Sequence, residues 1–569
     1  MIGATGITVP ALNYVAVMPE IALIAGALWI MLATAMSPRR IGSGASLFWT
    51  VAAGCVSLGF SVWQWEGVTP HGAYASFDGA VVVDGLSAFV AMTVSLTVIV
   101  AALIEEGWMR RRGQSAPEMH MLTLLSAAGA ILMGAGNDLV VIFLALEIMS
   151  IGFYVLAAYD RRRLASGEAA LKYLILGGFS SAVFLFGIAL TYGATGSMNL
   201  AEIAKYLASN VLLHDGLLLG GMVLMLVGLA FKVAAVPFHF WAPDVYQGSP
   251  TPAAGYMAAV AKIAGFAAII RIFVSTLQPY RADWQPAVWV VAVATLLVGG
   301  VVALVQTDIK RMLAYSSINH AGFVLLGVAA ATTAGLSASL YYVLVYSFMV
   351  MGSFAVVSLV GGPADTAHSL EDYRGLYRRS PWLAWALALM LISQAGVPLT
   401  TGFIGKLEVI SAAAAAHLVW LAVVAMMSAA VAAFFYLRVV MLMFSPSYGP
   451  PAGAAGAVDS GSMVAGGEGV PEPGSVAEGG EGVPGPVGVS SGGGVATASL
   501  HGEEGIVGGG GDASGYDAVA GEPAGERIPV PLSTAVALAL CSGFTVFFGL
   551  FPGFLTAMVH VVTTAIPIH

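Results

Sequence analysis

Apolar runs of about 20 residues, the length that carries an α-helix across a hydrocarbon core roughly 30 Å thick, recur fourteen times in this 569-residue chain. They lie at 15 to 36, 45 to 64, 85 to 104, 119 to 136, 138 to 159, 168 to 193, 217 to 241, 252 to 277, 285 to 305, 310 to 331, 335 to 361, 382 to 412, 418 to 444 and 530 to 562. Hydrophobic residues make up 58% and charged residues 9%, whereas soluble domains carry about 25% charged residues. Too little polar surface remains to cover a water-soluble fold, so the expected class is an all-α polytopic membrane protein. "GAGND" at 134 to 138 signals the turn that separates the fourth and fifth spans. Cys55 and Cys541 both lie in apolar segments and cannot assemble a disulfide framework, a zinc site or an iron–sulfur ligand set. No redox centre is expected in the chain. The N-terminus lacks a basic n-region and reads as leading straight into the first span.

Lys and Arg divide unevenly between the loops. Those after odd-numbered spans hold Arg39, Arg40, Arg110, Arg111, Arg112, Arg161, Arg162, Arg163, Lys310, Arg311, Arg374, Arg378 and Arg379, whereas those after even-numbered spans hold Lys205 and Arg281, with Arg271 ending the eighth span. By the positive-inside rule the arginine-rich loops are cytoplasmic and both termini lie outside. Residues 446 to 527 are Gly, Pro, Ala, Ser and Glu, a composition that cannot bury enough apolar surface to fold. That segment reads as a disordered cytoplasmic loop, either a tolerated linker or a partner-binding tail. Its eleven acidic residues against one Arg give it a charge of −10, so the remainder of this −9 chain sums to +1.

Ionisable residues inside a membrane segment are costly, about 2.5 to 3.5 kcal/mol each on insertion scales, and mark ion or proton pathways. Four lie deep within spans: Glu147 in span five, Lys232 in span seven, Lys262 in span eight and Lys406 in span twelve. Lys262 lies about ten residues from either end of its span, roughly 15 Å, too far to snorkel. Lys232 precedes Pro237, and Lys406 follows Pro398, Gly402 and Gly405, so both belong to interrupted helices. Freed backbone groups at membrane depth are tolerated where they line a wet cavity. Spans seven and twelve are five apart. Spans four to eight and nine to thirteen then read as two five-helix copies, which an odd span number forces into inverted orientation.

The resulting division is 1–118 for the first three helices, 119–277 and 285–445 for the repeats, 446–527 for the loop and 528–569 for the last helix. An ion pair between Glu147 and Lys232 becomes a switch if it opens: the carboxylate holds the lysine's proton, and separation releases it toward Lys262. His320, with Ser316 one turn before it, is either a relay or a hydrogen-bonded packing residue. Glu168 and Lys172 read as an i, i+4 surface pair, and Trp241 as part of the interfacial aromatic belt. His239 and Asp244 serve as helix-end groups or feed protons inward. Gln394 bonds either the broken twelfth helix or water.

"FKVAAVPFHFWAPDVYQGSPTP", "LAYSSINHAG", "YRGLYRRSPWLA" and "AGVPLTTGFIGKLEVI" resemble the antiporter-like subunits of respiratory complex I, the bacterial NADH:quinone oxidoreductase. Among these they resemble the subunit N type, counterpart of mitochondrial subunit 2. The resemblance covers nearly the whole chain except 446 to 527. It implies fourteen helices with two inverted five-helix repeats and broken helices 7 and 12, in the bacterial inner membrane with both termini periplasmic. It further implies proton transfer coupled to electron flow from NADH to quinone in other subunits. Flavin and iron–sulfur clusters are then expected in partner subunits and no cofactor in this chain. The expected partners are other membrane-arm subunits, neighbouring antiporter-like subunits included, and the lipid bilayer, with no nucleic acid. Carried over residue by residue, Glu147 matches the fifth-helix glutamate, Lys232 the broken-helix lysine, Lys262 the connecting lysine, His320 the tenth-helix relay and Lys406 the terminal group. A subunit of a related cation/proton antiporter or membrane-bound hydrogenase, and a purely structural membrane scaffold, are the alternatives.

Overall fold

Residues 13–36, 43–115, 117–210, 215–446 and 527–564 are described by the computed structural model; the loop expected at 446–527 lies outside them except at its ends. In chain order the described helices are α1 Met18–Met36, α2 Ser43–His71, α3 Gly85–Arg111, α4 Pro117–Ala135, α5 Leu139–Ala157, α6 Leu164–Thr195, α7 Leu200–Ser209, α8 Gly216–Lys232, α9 Trp241–Gly248 and α10 Thr251–Ile269. There follow α11 Arg281–Leu304, α12 Ile309–Ala330, α13 Thr333–Val360, α14 Leu376–Arg379, α15 Pro381–Ala395, α16 Thr401–Ala415, α17 Val419–Phe444, α18 Leu532–Leu550 and α19 Gly553–Thr564. Two short antiparallel strands, β1 Tyr74–Ser76 and β2 Val81–Val83, close the connection between α2 and α3.

Among the described residues twelve helices are long and apolar enough to cross a membrane, and the chain is a multi-pass membrane protein. They match the sequence-derived spans except the seventh and twelfth, whose places are taken by the broken pairs α8/α9 and α15/α16. The last span is also not one rod, because Pro552 separates α18 from α19. Helices differ sharply in how much they are covered. The spans containing α10 and α13 are wholly enclosed by protein and α12 nearly so, while α1, α2 and α18 bury a third of their apolar window. Outer helices therefore present side chains such as Phe179 and Phe434 outward, as a lipid-facing surface requires.

One hydrogen-bond motif occurs twice. Asp138 caps α5, accepting from the Val140 amide, and Asp308 caps α12, accepting from the Arg311 amide. Isolated bridges join Asp138 to Asn199 and Asp308 to Ser369. The Leu139 amide donates to the Met198 carbonyl at 2.9 Å, and the Ile309 amide to the His368 carbonyl at 2.8 Å. Every position moves by the same 170 residues (308 less 138, 369 less 199). The helix contacts move with them: a Cβ on Gly129 would stand 2.6 Å from the Met149 nitrogen, and one on Gly299 2.6 Å from the Asn319 nitrogen. These glycines let α4 lie close against α5 and α11 against α12. The α4/α5 hairpin and the α11/α12 hairpin thus share these contacts position for position.

Both breaks have identifiable causes. After α8 the chain passes through Ala234 at φ 59° to Pro237, and the freed Val236 amide donates to Thr295 Oγ1 at 2.9 Å. After α15 it turns through Gly396 at φ 87° and Leu399 at φ 71° before α16. Trp241 departs from its sequence reading. It is 1% exposed rather than interfacial; its indole donates to the Phe231 carbonyl at 2.8 Å and stacks on Tyr173 at 4.5 Å. The reason is the break itself, which takes the regular helical donor from the Phe231 carbonyl near the end of α8; the Ala234 amide at 3.0 Å and the indole supply two others.

Candidate functional site

The broken helices set each lysine against an oxygen acceptor and a ring. Lys232, at the end of α8, donates to Ser150 Oγ of α5 at 2.9 Å and to the Tyr173 hydroxyl of α6 at 3.4 Å, with the Phe153 ring 5.1 Å away. Lys406, on α16, donates to the Ala395 carbonyl at the end of α15 at 2.9 Å and stands 4.9 Å over Phe323 of α12. Phe153 and Phe323 are again 170 positions apart (323 less 153), so each broken helix presents its lysine to the same place on a repeated hairpin. Beside Lys232 a cavity of about 10 Å³ is lined by Ser150, Tyr154, Ser180 and Ser181 among others. That is room for one water among hydroxyls.

Between these ends lies Lys262 on the enclosed helix α10. Its ammonium bonds Ser317 Oγ of α12, which also accepts from the Tyr346 hydroxyl of α13 at 2.8 Å, and Tyr246 of α9 lies within reach of the same serine. One turn along α12, His320 is fully enclosed. Its Nδ1 meets the Tyr342 hydroxyl at 2.7 Å and its Nε2 the Tyr436 hydroxyl at 2.9 Å. Tyr436 bonds Ser316 and donates to Gln394 Oε1 at 3.4 Å, while Gln394 Nε2 donates to Ser353 Oγ at 2.7 Å. Gln394 thus ties the broken helix to the histidine network. His320 lies within electrostatic range of both Lys262 and Lys406.

All three lysines are at most 5% exposed, and among the described residues none makes an ion pair. The expected Glu147 contact is therefore looser than a salt bridge. Glu147 lies within electrostatic range of Lys232, but its Oε1 is buried without a hydrogen-bond partner, and Ser150, one turn on, takes the ammonium instead. Glu168 and Lys172 do pair, at 2.7 Å on the surface, and Lys172 also meets Asp244 at 3.1 Å. Asp244 in turn pairs with Arg311 at 2.7 Å. Burial alone would raise the Asp244 pKa, but Arg311 and Lys172 hold it below the usual carboxylate range. His239 is 6% exposed, its Nδ1 unpartnered.

The family described as NADH:quinone oxidoreductase/Mrp antiporter, TM, matches residues 136–432, from the turn before α5 into α17. The chain belongs to this family. The match spans Glu147, His320 and all three lysines. NADH-quinone oxidoreductase subunit N of Trichlorobacter lovleyi is 41% identical over 433 residues, covering 76% of this chain and 88% of that protein. NADH-quinone oxidoreductase subunit N 3 of Streptomyces griseus is 43% identical over 480 residues, 77% of this chain and 86% of that one. In respiratory complex I from Thermus thermophilus with bound aureothin, one chain superposes with a TM-score of 0.69 at 26% identity, over 96% of this chain and 100% of that one. A chain of the Mrp complex from Dietzia sp. DQ12-45-1b superposes at 0.76 and 21% identity, over 97% and 98%, a likeness of fold.

Sequence reasoning found the lysines of this family member and missed their partners. Ser150, Tyr173, Ser317, Tyr342, Tyr346 and Tyr436 carry every hydrogen bond in the row apart from those of Ser316, Gln394, Ser353 and the Ala395 carbonyl. The signal available was the hydroxyl run "YYVLVYSF" (341 to 348), which puts Tyr342 and Tyr346 on one face of α13. Glu105 and Glu106 were also missed. The span drawn at 85 to 104 left them outside, whereas α3 continues to Arg111 and encloses both.

Proposed function

We propose that this chain is a proton-translocating membrane-arm subunit of an NADH:quinone oxidoreductase, with electron transfer carried by flavin- and iron–sulfur-bearing partner subunits. It then sits in the bacterial inner membrane, the arginine-rich loops cytoplasmic and both termini periplasmic, beside other antiporter-like subunits. The single observation that carries this reading is the row of three enclosed lysines held by hydroxyls, a carbonyl and rings rather than by carboxylates. A cation kept inside a membrane without a carboxylate in contact gets little structural return for its desolvation; exchanging a proton with its neighbours is the function that accounts for it. Hydroxyls both donate and accept, so Ser317 and the tyrosines can pass protons between Lys262 and His320. Movement of Glu147 relative to Lys232 starts the transfer, and Lys406 delivers it outward.

The test uses the assembled complex in membrane vesicles. Lys232→Ala and Lys262→Ala are expected to lower coupled proton pumping by about tenfold or more while the complex still assembles. Wild-type pumping in both would favour the scaffold reading instead.

A further inference from the structure

Away from the lysine row, α3 and α4 enclose a carboxyl and an imidazole that the row does not use. Glu105 on α3 and His120 on α4 are both 0% exposed, and Glu105 Oε2 lies 3.9 Å from His120 Nε2. Thr123, one turn after His120, donates to Glu105 Oε1 at 2.7 Å. Glu105 Oε2 and both imidazole nitrogens complete no hydrogen bond; the Ala102 carbonyl lies near the ring without forming one of full geometry. Glu106 beside them also keeps an unpartnered buried oxygen. A purely structural pair would be expected to close these contacts, because an unsatisfied buried polar group costs about 1 to 3 kcal/mol.

Two further observations give the pair a way in and a way on. A surface groove of about 1130 Å³ at the arginine-bearing end of α3 to α6 is lined by Met109, Glu118, Leu122, Tyr159 and Arg161 among others. The Tyr159 hydroxyl on its floor lies within electrostatic range of both Glu118 and Glu105. On the opposite side, Tyr256 of α10 donates to the Thr123 carbonyl at 2.8 Å, bonds Ser126 at 2.9 Å and is within electrostatic range of Glu105. Tyr256 precedes Lys262 by six residues on the same helix, roughly 9 Å along its axis. Its ring also packs edge-on to Phe153, the ring beneath Lys232.

We infer that Glu105 and His120 form a proton-uptake site that takes protons from the groove at Tyr159 and supplies the lysine row by way of Tyr256. This rests on the proton-transfer reading and deepens it. The balance is simple: water in the groove gives a proton to the Glu105 carboxylate or the His120 imidazole, the hydroxide left there is neutralised from the bulk, and the acid later releases the same proton toward Lys262. Glu118, Glu106, Tyr159, Arg161 and Tyr256 are the other titratable or charged groups placed to act on the pair.

The test compares Glu105→Gln, Glu105→Asp and His120→Gln with Lys262→Ala in the assembled complex, reading pumping rate and its pH profile. Glu105→Gln is expected to slow pumping by about tenfold and to remove from the profile the alkaline limb along which the uptake group loses its proton, while Glu105→Asp recovers most of the rate. If Glu105→Gln prevents assembly, the same loss and changed profile in His120→Gln support the inference. Unchanged pumping and profile in Glu105→Gln, or in His120→Gln where the former does not assemble, overturns it. So does equal loss in Glu105→Gln and Glu105→Asp with the wild-type profile, the mark of a packing role. Lys262→Ala separates the two levels: loss there with wild-type behaviour at Glu105 sinks this inference and leaves the proposed function standing, whereas wild-type pumping in Lys262→Ala removes both.

Discussion

A single hydroxyl, that of Ser317, accepts from Tyr346 and bonds Lys262, with Tyr246 close by. Ser317→Ala would leave the Lys262 ammonium with only the Tyr346 ring, 5.4 Å away. Hydrogen bonds to charged groups are worth about 1.5 to 3 kcal/mol, so the purified complex is expected to lose several degrees of thermal stability and most of its pumping. Ser317→Thr, which keeps the hydroxyl, should retain more of both; equal loss in the two variants would count against the hydroxyl as the operative group. Trp241→Phe is a quieter change. It keeps the stack on Tyr173 and removes one of two donors to the Phe231 carbonyl, the Ala234 amide remaining at 3.0 Å, so thermal unfolding should show a cost of about 0.5 to 1.5 kcal/mol. What was legible in the sequence at this scale was whatever is expensive: Lys232, Lys262 and Lys406 announce themselves because a charge in an apolar run needs a reason. Ser317, Tyr173 and Tyr436 do not, since serine and tyrosine are tolerated in apolar helices and only the fold shows that the first two bond a lysine and the third His320. Trp241 misled for a related reason, because a tryptophan at a span end fits an interfacial belt until the break turns it inward.

Among the elements, the segment after α13 acts as a clamp. Asp365 is 0% exposed and accepts from the Thr251 amide at 3.1 Å and from its hydroxyl at 2.6 Å, which fixes the start of α10. It also pairs with Arg163 beside α6 at 3.1 Å and with Lys310 of α12 at 3.8 Å, and His368 lies 3.3 Å away. Burial alone would raise the Asp365 pKa, but Lys310, His368 and Thr251 hold it well below the usual carboxylate range. A pKa depressed on folding gives stability that is complete above the unfolded value, near 3.9, and is lost as pH falls through the folded value. Asp365→Asn should therefore cost about 3 to 5 kcal/mol by stranding buried Lys310, with the same difference from wild type between pH 6 and 8 and a narrowing gap in acid. Thermal unfolding across that range measures it; a gap that closes toward alkaline pH would contradict the assignment. The broken helices were legible as elements, through Pro237, Pro398 and their glycines. Gly402 was named as a sign of the interrupted helix, and its effect is steric: a Cβ there would stand 1.9 Å from the Ser393 carbonyl oxygen, so α16 can pack under α15 only without one. Proximity of this kind is invisible in a single sequence.

At the scale of the whole molecule, the helices most enclosed by protein, α10, α12 and α13, bear Lys262, His320 and the tyrosines between them, while wholly apolar faces are left outside. Composition foretold the membrane, and the spacing of breaks foretold that the seventh and twelfth spans are interrupted, but depth of enclosure could not be read because α13 is no less apolar in sequence than α1. The acidic segment presents the opposite case, separable on sequence alone, and the described residues on either side say how separable. The Gly375 amide donates to the Leu442 carbonyl near the end of α17 at 3.3 Å, and the Ile528 amide donates to Ser380 Oγ at 3.2 Å before α18 begins. Only the short α14 lies between Gly375 and Ser380, roughly 8 Å of helix, so the two flanks converge on one loop that already holds them. Eight Gly/Ser residues reach up to about 25 Å when extended, enough to replace 448–525 without drawing on either helix. The shortened chain should assemble with the same thermal stability, electron-transfer rate and pumping as the full one, because the hydrogen bonds described around the lysines join residues that it keeps. Loss of assembly with an intact spectrum in the isolated subunit would instead show that the acidic segment holds a partner.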